Sequence, residues 1–287
     1  MLHSTLTASA KRQAFRARLA SGELVRMPGA FNPLSAKLIE DKGFEGVYIS
    51  GAVLSADLGL PDIGLTTLTE VAQRGGQIAR VTDLPTLIDA DTGFGEPMNV
   101  ARTVQILEDA GVSGLHLEDQ VNPKRCGHLD GKAVVDEQTA LKRIRAAVEA
   151  RRDPDFLIMA RTDIRGVEGL DAAVDRAKAL VDAGADAIFP EAMADLAEFE
   201  ASPGLNVDLG TVAPGPLLST SAEVAAALGA LDTVAAEHAG AAKAFAETYA
   251  TAQDGRAAER LVDWLLAAAE RGSGGGGDVT EATIVLP

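Results

Sequence analysis

The sequence predicts a (β/α)8 TIM barrel, and three observations carry that prediction. First, one pattern occurs three times, at residues 40–50, 108–118 and 181–191: the end of an amphipathic helix, a glycine (Gly43, Gly111, Gly184), a short turn, then an apolar strand ending at a polar residue. A glycine there suits the left-handed conformation that closes a helix. Second, the strands are apolar throughout rather than alternating, as a parallel sheet covered on its outer face requires. Third, the residues closing successive strands are polar: Ser50, Asp89, Glu118, Arg161 and Glu191. In a barrel these share the rim that carries the chemistry.

Taken in order, the elements are a first strand at 24–27, the strand closing the first repeat, and a strand at 84–90. A helix at 99–110 leads to the strand of the second repeat. A helix at 137–151, a strand at 156–161 and a helix at 169–183 lead to the third. No Gly-x-Gly-x-x-Gly follows the first strand, which weighs against a dinucleotide-binding open sheet. Strands at 205–209 and 231–235 and helices at 239–252 and 256–270 complete the expected barrel. Residues 1–271 thus form one domain, followed by a glycine-rich tail at 272–287.

The chain has 287 residues, is 47% hydrophobic and carries a formal net charge of −16. No basic stripe is available to displace counterions from phosphates, so nucleic acid is excluded as a partner. The first 20 residues mix Lys11, Arg12, Arg16 and Arg18 with apolar residues and match neither a signal peptide nor a membrane span. A cytoplasmic protein is expected, and reducing conditions suit its one cysteine.

That cysteine, Cys126, stands in Pro123-Lys124-Arg125-Cys126-Gly127-His128. Cationic neighbours favour a thiolate and suit the sulfur to carry a proton. Asp89 and Asp91 share one side of an extended segment, because side chains alternate with period two. With Glu118 from the next strand they offer three oxygens to a hard cation, for which Mg²⁺ fits best and Mn²⁺ is a substitute. Zinc is disfavoured, since His128 lacks a partner at ligand spacing. Arg161 offers a two-pronged donor to a substrate carboxylate, or an ion pair with Glu191 or Asp163. Tyr48, two residues before Ser50, could hold or receive a proton, and His116, within an apolar strand, reads as a core residue. These parts suit a reaction in which an enolate forms beside the metal, either aldol-type cleavage or hydrolysis of a β-keto acid.

The runs Tyr48-Ile49-Ser50-Gly51-Ala52, Asp89-Ala90-Asp91-Thr92-Gly93-Phe94-Gly95, His116-Leu117-Glu118-Asp119-Gln120 and Lys124-Arg125-Cys126-Gly127-His128 resemble the isocitrate lyase and phosphoenolpyruvate mutase superfamily, and within it the branch that cleaves 2-methylisocitrate. The resemblance covers residues 10–200. It implies a Mg²⁺-dependent retro-aldol cleavage giving pyruvate and succinate, the last step of propionate breakdown through methylcitrate. It also implies a homotetramer with exchanged C-terminal helices. Asp89 and Asp91 would hold the metal, the second through water, with Glu118 and Asp62 close by. Ser50, Gly51 and Ala52 would hold the pyruvate-forming part of the substrate. Cys126 would protonate the departing succinate carbanion, and Gly127 would bind substrate through its backbone. Arg161 and Glu191 would orient substrate and the acid loop, while Lys124 and His128 would tune the thiol.

Beyond Glu200 the sequence departs from the family. Where family members hold a substrate carboxylate with an Asn-x-Thr-x-x-Gly segment, this chain has Asp208 after Asn206-Val207, and a carboxylate there repels that group. Either the pocket has diverged or the reading frame has changed. Oxaloacetate hydrolysis, cleavage of another substituted malate and a catalytically silent homologue are the alternative functions.

Overall fold

The computed structural model describes residues 3–22, 24–127 and 131–193, together with positions 233, 236, 237, 239, 240 and 243. In chain order its elements are α1 (Ala8–Ala20), α2 (Pro33–Asp41), β1 (Val47–Ile49), α3 (Gly51–Asp57), α4 (Leu68–Ala79), β2 (Thr86–Asp89), α5 (Pro97–Asp109), β3 (Gly114–Glu118), α6 (Glu137–Ala150), β4 (Leu157–Thr162), α7 (Arg165–Glu168), α8 (Leu170–Asp182) and β5 (Ala187–Pro190). The five strands are parallel, and each pairs with the next in sequence, in the order β1-β2-β3-β4-β5. A doubly wound sheet reverses its strand order at a switch point. Here the order never reverses, and the fold is of the TIM-barrel type.

Local chemistry explains where the helices begin and end. Asn32 and Thr67 cap α2 and α4 through reciprocal capping boxes with Ser35 and Glu70, and Asp136 accepts from Thr139 N at the start of α6. Gly43, Gly111 and Gly184 follow α2, α5 and α8 at φ of 76°, 84° and 106°, so the thrice-repeated glycine does close the helices. Burial follows two faces of the strands. Ile88, Leu115 and Ile158 belong to the large core that includes Ile78, Val104, Ile144 and Leu180 of the surrounding helices. Leu87 and Leu157, one residue out of phase, pack instead with Phe15 of α1, beside Val25, Met27, Tyr48 and Met159. Phe15 thereby plugs the lower end of the strands, a burial that contributes about 2 kcal/mol.

Two expectations need correction. Residues 24–27 are not a strand; pairing with β1 is a single parallel bridge between Gly29 and Tyr48, flanked by Tyr48 N donating to Pro28 O at 3.0 Å and Ala30 N donating to Tyr48 O at 2.8 Å. The segment turns its side chains to the Phe15 cluster, and Pro28, lacking an N–H, limits the ladder. Thr233, inside the expected strand 231–235, is helical, as are Ala239, Gly240 and Lys243 in the expected helix 239–252. Neighbouring alanines favour that outcome. The strand at 205–209, the helix at 256–270 and the tail lie outside the described residues. The chain divides into two compact units, 1–206 and 207–287. Among the described residues no helix is long and apolar enough to cross a membrane.

Candidate active site

The upper strand ends bring the expected carboxylates together. Asp89 closes β2 and accepts from Gly51 N at 3.2 Å and from Asp91 N at 2.9 Å. Gly51 cannot carry a side chain, because a Cβ there would lie 2.7 Å from Asp89 Oδ2. Asp91 adopts φ 46°, a left-handed conformation that aspartate tolerates better than most residues. Its Oδ1 stands 2.9 Å from Lys124 Nζ, and Thr66 Oγ1 donates to its Oδ2 at 3.3 Å. The same ammonium donates to Asp62. Lys124 is therefore committed to two carboxylates. Glu118 closes β3 in register with Arg161, whose Nε lies 3.4 Å from Glu118 Oε2. The Glu118 side chain is fully buried, and neither oxygen accepts a hydrogen bond.

The protonation equilibria record this shortage of positive charge. Burial, then the Asp89 charge, lift Asp91 to about 6. The same two causes raise Glu118 well above the usual carboxylate range, against the pull of Arg161 and Lys124. For Asp89, burial is outweighed by Lys124, the Asp91 N–H and Arg161, and its carboxyl stays below the ordinary value. Asp91 and Asp89 in turn raise Lys124 in spite of its burial. Ionising a buried carboxyl whose oxygens accept no hydrogen bond costs several kcal/mol, more than Arg161 at 3.4 Å offsets, so an ionised Glu118 calls for a further cation. No three His, Cys, Asp or Glu side chains among the described residues form a closed ligand cage. Mg²⁺ needs none, since it binds through one or two carboxylates and keeps several waters. An oxygen-only, anionic, under-satisfied donor set of this kind fits it.

Below the carboxylates lies an aromatic layer. Tyr48 Oη is 2.8 Å from His116 Nε2, and the two rings stack at 5.7 Å. Phe189 meets the other side of His116 edge-on at 5.5 Å. Asp89 Oδ1 is 3.6 Å from the same His116 nitrogen, while Nδ1 is buried without a partner. We assign the ring proton to Nε2, facing both oxygens, which leaves the bare Nδ1 as the unpaired atom and frees the Tyr48 hydroxyl proton to point elsewhere. Burial, reinforced by Asp89, holds that phenol far above its ordinary pKa, so it stays protonated. Burial lowers His116, which stays neutral. His116 was read as a core residue; it is buried, but forms part of the site floor.

Opposite the carboxylates, Arg161 joins three acids. Its Nε and Nη2 donate to Asp163 at 3.0 and 3.2 Å, and Nη2 stands 3.2 Å from Glu191. Both roles foreseen for Arg161 in ion pairing are thus present, and its guanidinium also lies over the Phe189 ring at 5.3 Å. Gly127 rests on this group: a Cβ there would lie 2.7 Å from Glu191 Cδ. Cys126, half-buried, therefore sits one residue from the Arg161–Glu191 pair. Ser50 is the N-cap of α3, yet its hydroxyl caps nothing, and Ala52 lies in the first turn of that helix. His128 lies outside the described residues.

Several contributions escaped the sequence reading. Asp119 accepts from Thr162 Oγ1, Asp163 N and Arg176 Nη1 at 2.6, 2.9 and 2.9 Å, bracing β4 and α8. Asp119 and Asp163 were both legible as strand-end residues; the bracing of β4 and α8 by Asp119 was not. Thr66 and Lys132 carried no such signal.

The residues match known proteins as follows. A family model described as phosphoenolpyruvate phosphomutase matches residues 15–212, and one described as CDP-glycerol:poly(glycerophosphate) glycerophosphotransferase matches residues 191–267. A Corynebacterium glutamicum protein named "Probable 2-methylisocitrate lyase 2" is 66% identical over 200 residues, covering 70% of this chain and 65% of that relative. The chain thus spans just under two thirds of that curated relative's length. Among solved structures, a phosphonopyruvate hydrolase complex with oxalate and Mg²⁺ matches at TM-score 0.63 and 35% identity, covering 70% of both chains. A 2,3-dimethylmalate lyase, described as a member of the PEP mutase/isocitrate lyase superfamily, matches at TM-score 0.66 and 30% identity, covering 98% of this chain and 100% of the other.

Proposed function

The chain belongs to the phosphoenolpyruvate phosphomutase family, in the superfamily that includes isocitrate lyase, and on that premise we propose that it cleaves 2-methylisocitrate to pyruvate and succinate. The observation that supports this proposal is the seat of Gly127, the residue after Cys126, on the Arg161–Glu191 pair. The 66% identity to a named relative supports the choice of substrate.

Asp89 holds Mg²⁺, with Asp91 and Glu118 acting beside it and Asp62 fixing Lys124. Mn²⁺ substitutes. When bound, the ion draws negative charge onto the oxygens of the α-keto acid being formed. Ser50, Gly51 and Ala52 seat the pyruvate-forming part of the substrate against Asp89. Arg161, with Nε and Nη2 engaged by Asp163 and Glu191, offers its remaining Nη1 to a substrate carboxylate, and Glu191 keeps the guanidinium in place. As the carbon–carbon bond breaks, the substrate hydroxyl gives its proton to solvent and its O–H electron pair becomes the pyruvate carbonyl; the carbon–carbon pair passes to the departing succinate carbon, which takes the Cys126 Sγ–H proton, and the thiolate regains a proton from solvent. Tyr48 keeps its own proton on Oη and donates a hydrogen bond to the substrate. Lys124 anchors its segment through Asp62 and Asp91, and His128 adjusts the thiol.

The assembly proposed is a cytoplasmic homotetramer with exchanged C-terminal helices, built on one barrel domain at 1–271. Purified protein given 2-methylisocitrate and Mg²⁺ should release pyruvate and succinate in equal amounts, and a chelator should stop it. A second reading, cleavage of a substituted malate, is favoured by the 2,3-dimethylmalate lyase match across nearly the whole chain. It prevails if 2,3-dimethylmalate is cleaved while 2-methylisocitrate is untouched.

A further inference from the structure

We propose that Lys132 is a positioning residue for the acid: it ties the Gly127 carbonyl to Asp163 and so fixes the Cys126 backbone against Arg161 and Glu191. This rests on the assignment of Cys126 as the proton donor. Lys132 Nζ donates to Gly127 O at 2.7 Å and to Asp163 Oδ1 at 2.9 Å, and its side chain is only 7% exposed. A lysine on the surface keeps its ammonium in water; one buried at this depth with two acceptors is held in a single geometry.

Neutralising Asp163 does not by itself explain that geometry. Asp163 already receives two hydrogen bonds from Arg161, and its backbone N–H is tied to Asp119. The bond that Lys132 adds uniquely is the one to Gly127 O. On the other side of Cys126, Gln120 Nε2 donates to Arg125 O and Arg125 N donates to Gln120 Oε1, both at 2.9 Å. The thiol residue is thus gripped at both flanks. Of the two grips, Lys132 is the one wired to the acid that orients Arg161. Proton donor and substrate-binding arginine are therefore set in place by one carboxylate, Asp163, and Lys132 is the link between them.

Cys126 is the only cysteine in the chain, so thiol labelling of the full-length protein reads this one segment. Iodoacetamide labelling rates, together with kcat and KM for 2-methylisocitrate, are measured for wild type, K132M, K132Q and K132R. Loss of a charged hydrogen bond should raise labelling in K132M and K132Q about tenfold. Misplacement of the acid should lower kcat about 10²-fold, with KM within about threefold of wild type because the carboxylate-binding groups remain. K132R, which keeps charge and donors, should recover a large part of both. Labelling and kcat equal to wild type in whichever of K132M and K132Q folds would overturn the proposal. If wild type cleaves no 2-methylisocitrate, the substrate assignment fails and labelling alone decides the role of Lys132: a rise sustains it and no change removes it.

Discussion

At the lower ends of the strands, Lys11 donates to Ala79 O and Thr82 O, and Arg12 to Val112 O, Glu108 O and Asp153. Asp186 is met there by Arg151, Ile158 N and Arg16. At the upper ends, Glu118 is as deeply buried as any of these, and neither of its oxygens accepts a hydrogen bond. Asp91 is lifted toward neutrality in a left-handed backbone. Both ends bury charge, and they differ in whether the fold completes it. Completed charge ties helices to strands; incomplete charge is left for something the fold does not supply.

Four measurements would sharpen or break that contrast. The largest effect expected is at the upper end: Cys126→Ser should lower kcat about 10³-fold, a hydroxyl being a much weaker acid, while Mg²⁺ affinity by calorimetry stays unchanged. Near-normal turnover would remove the thiol from the mechanism. At the lower end the effect should fall on stability instead. Arg12→Leu should cost about 3 kcal/mol in denaturant unfolding with kcat preserved; a loss of rate without loss of stability would erase the division between the two ends. Glu118→Gln should have the opposite sign. In metal-free protein it should stabilise by about 1–2 kcal/mol, because a neutral amide spares the fold the cost of holding the Glu118 carboxyl protonated, buried and beside the Asp89 charge, above its ordinary range. Added Mg²⁺ should then raise the melting temperature of wild type and not of the variant.

The smallest effect concerns Asp83, which accepts from Thr5 Oγ1, Ser4 Oγ, Leu6 N and Thr5 N at 2.6, 2.7, 3.1 and 2.6 Å. Although burial opposes it, these bonds depress its carboxyl to about 2. A carboxylate depressed on folding stabilises the protein above its unfolded value near 4, and that contribution fades as pH falls toward 2. Asp83→Asn should flatten the acid limb of the stability curve between those values without touching activity. An unchanged acid limb would mean that these bonds add nothing to stability.

Much of the fold was legible because its signals are local. A glycine after a helix and an unbroken apolar run are read from neighbours in the chain, and β1 to β5 and the major helices follow from them. The strand expected at 24–27 failed because Phe15, a distant residue, decides which way that segment packs. At the site, Asp89, Asp91, Glu118, Arg161 and Glu191 were legible because barrel topology sends every strand end to one rim. Partners were not. Nothing in the run of residues assigns Lys124 to Asp62 and Asp91, or Lys132 to Gly127 and Asp163. Such pairings depend on how strands are rotated against each other, which no single stretch of chain encodes.

The aromatic layer has one more consequence. Tyr48, His116 and Phe189 come from β1, β3 and β5, the alternate-strand arrangement that fills a barrel in tiers. With Phe15 packed beneath against Leu87 and Leu157, these rings floor the space above the five described strands. A reactant that meets Asp89 and Glu118 therefore lies on the strand-end side of that floor, and hydrogen isotope from heavy water should appear in the product through exchange on that side.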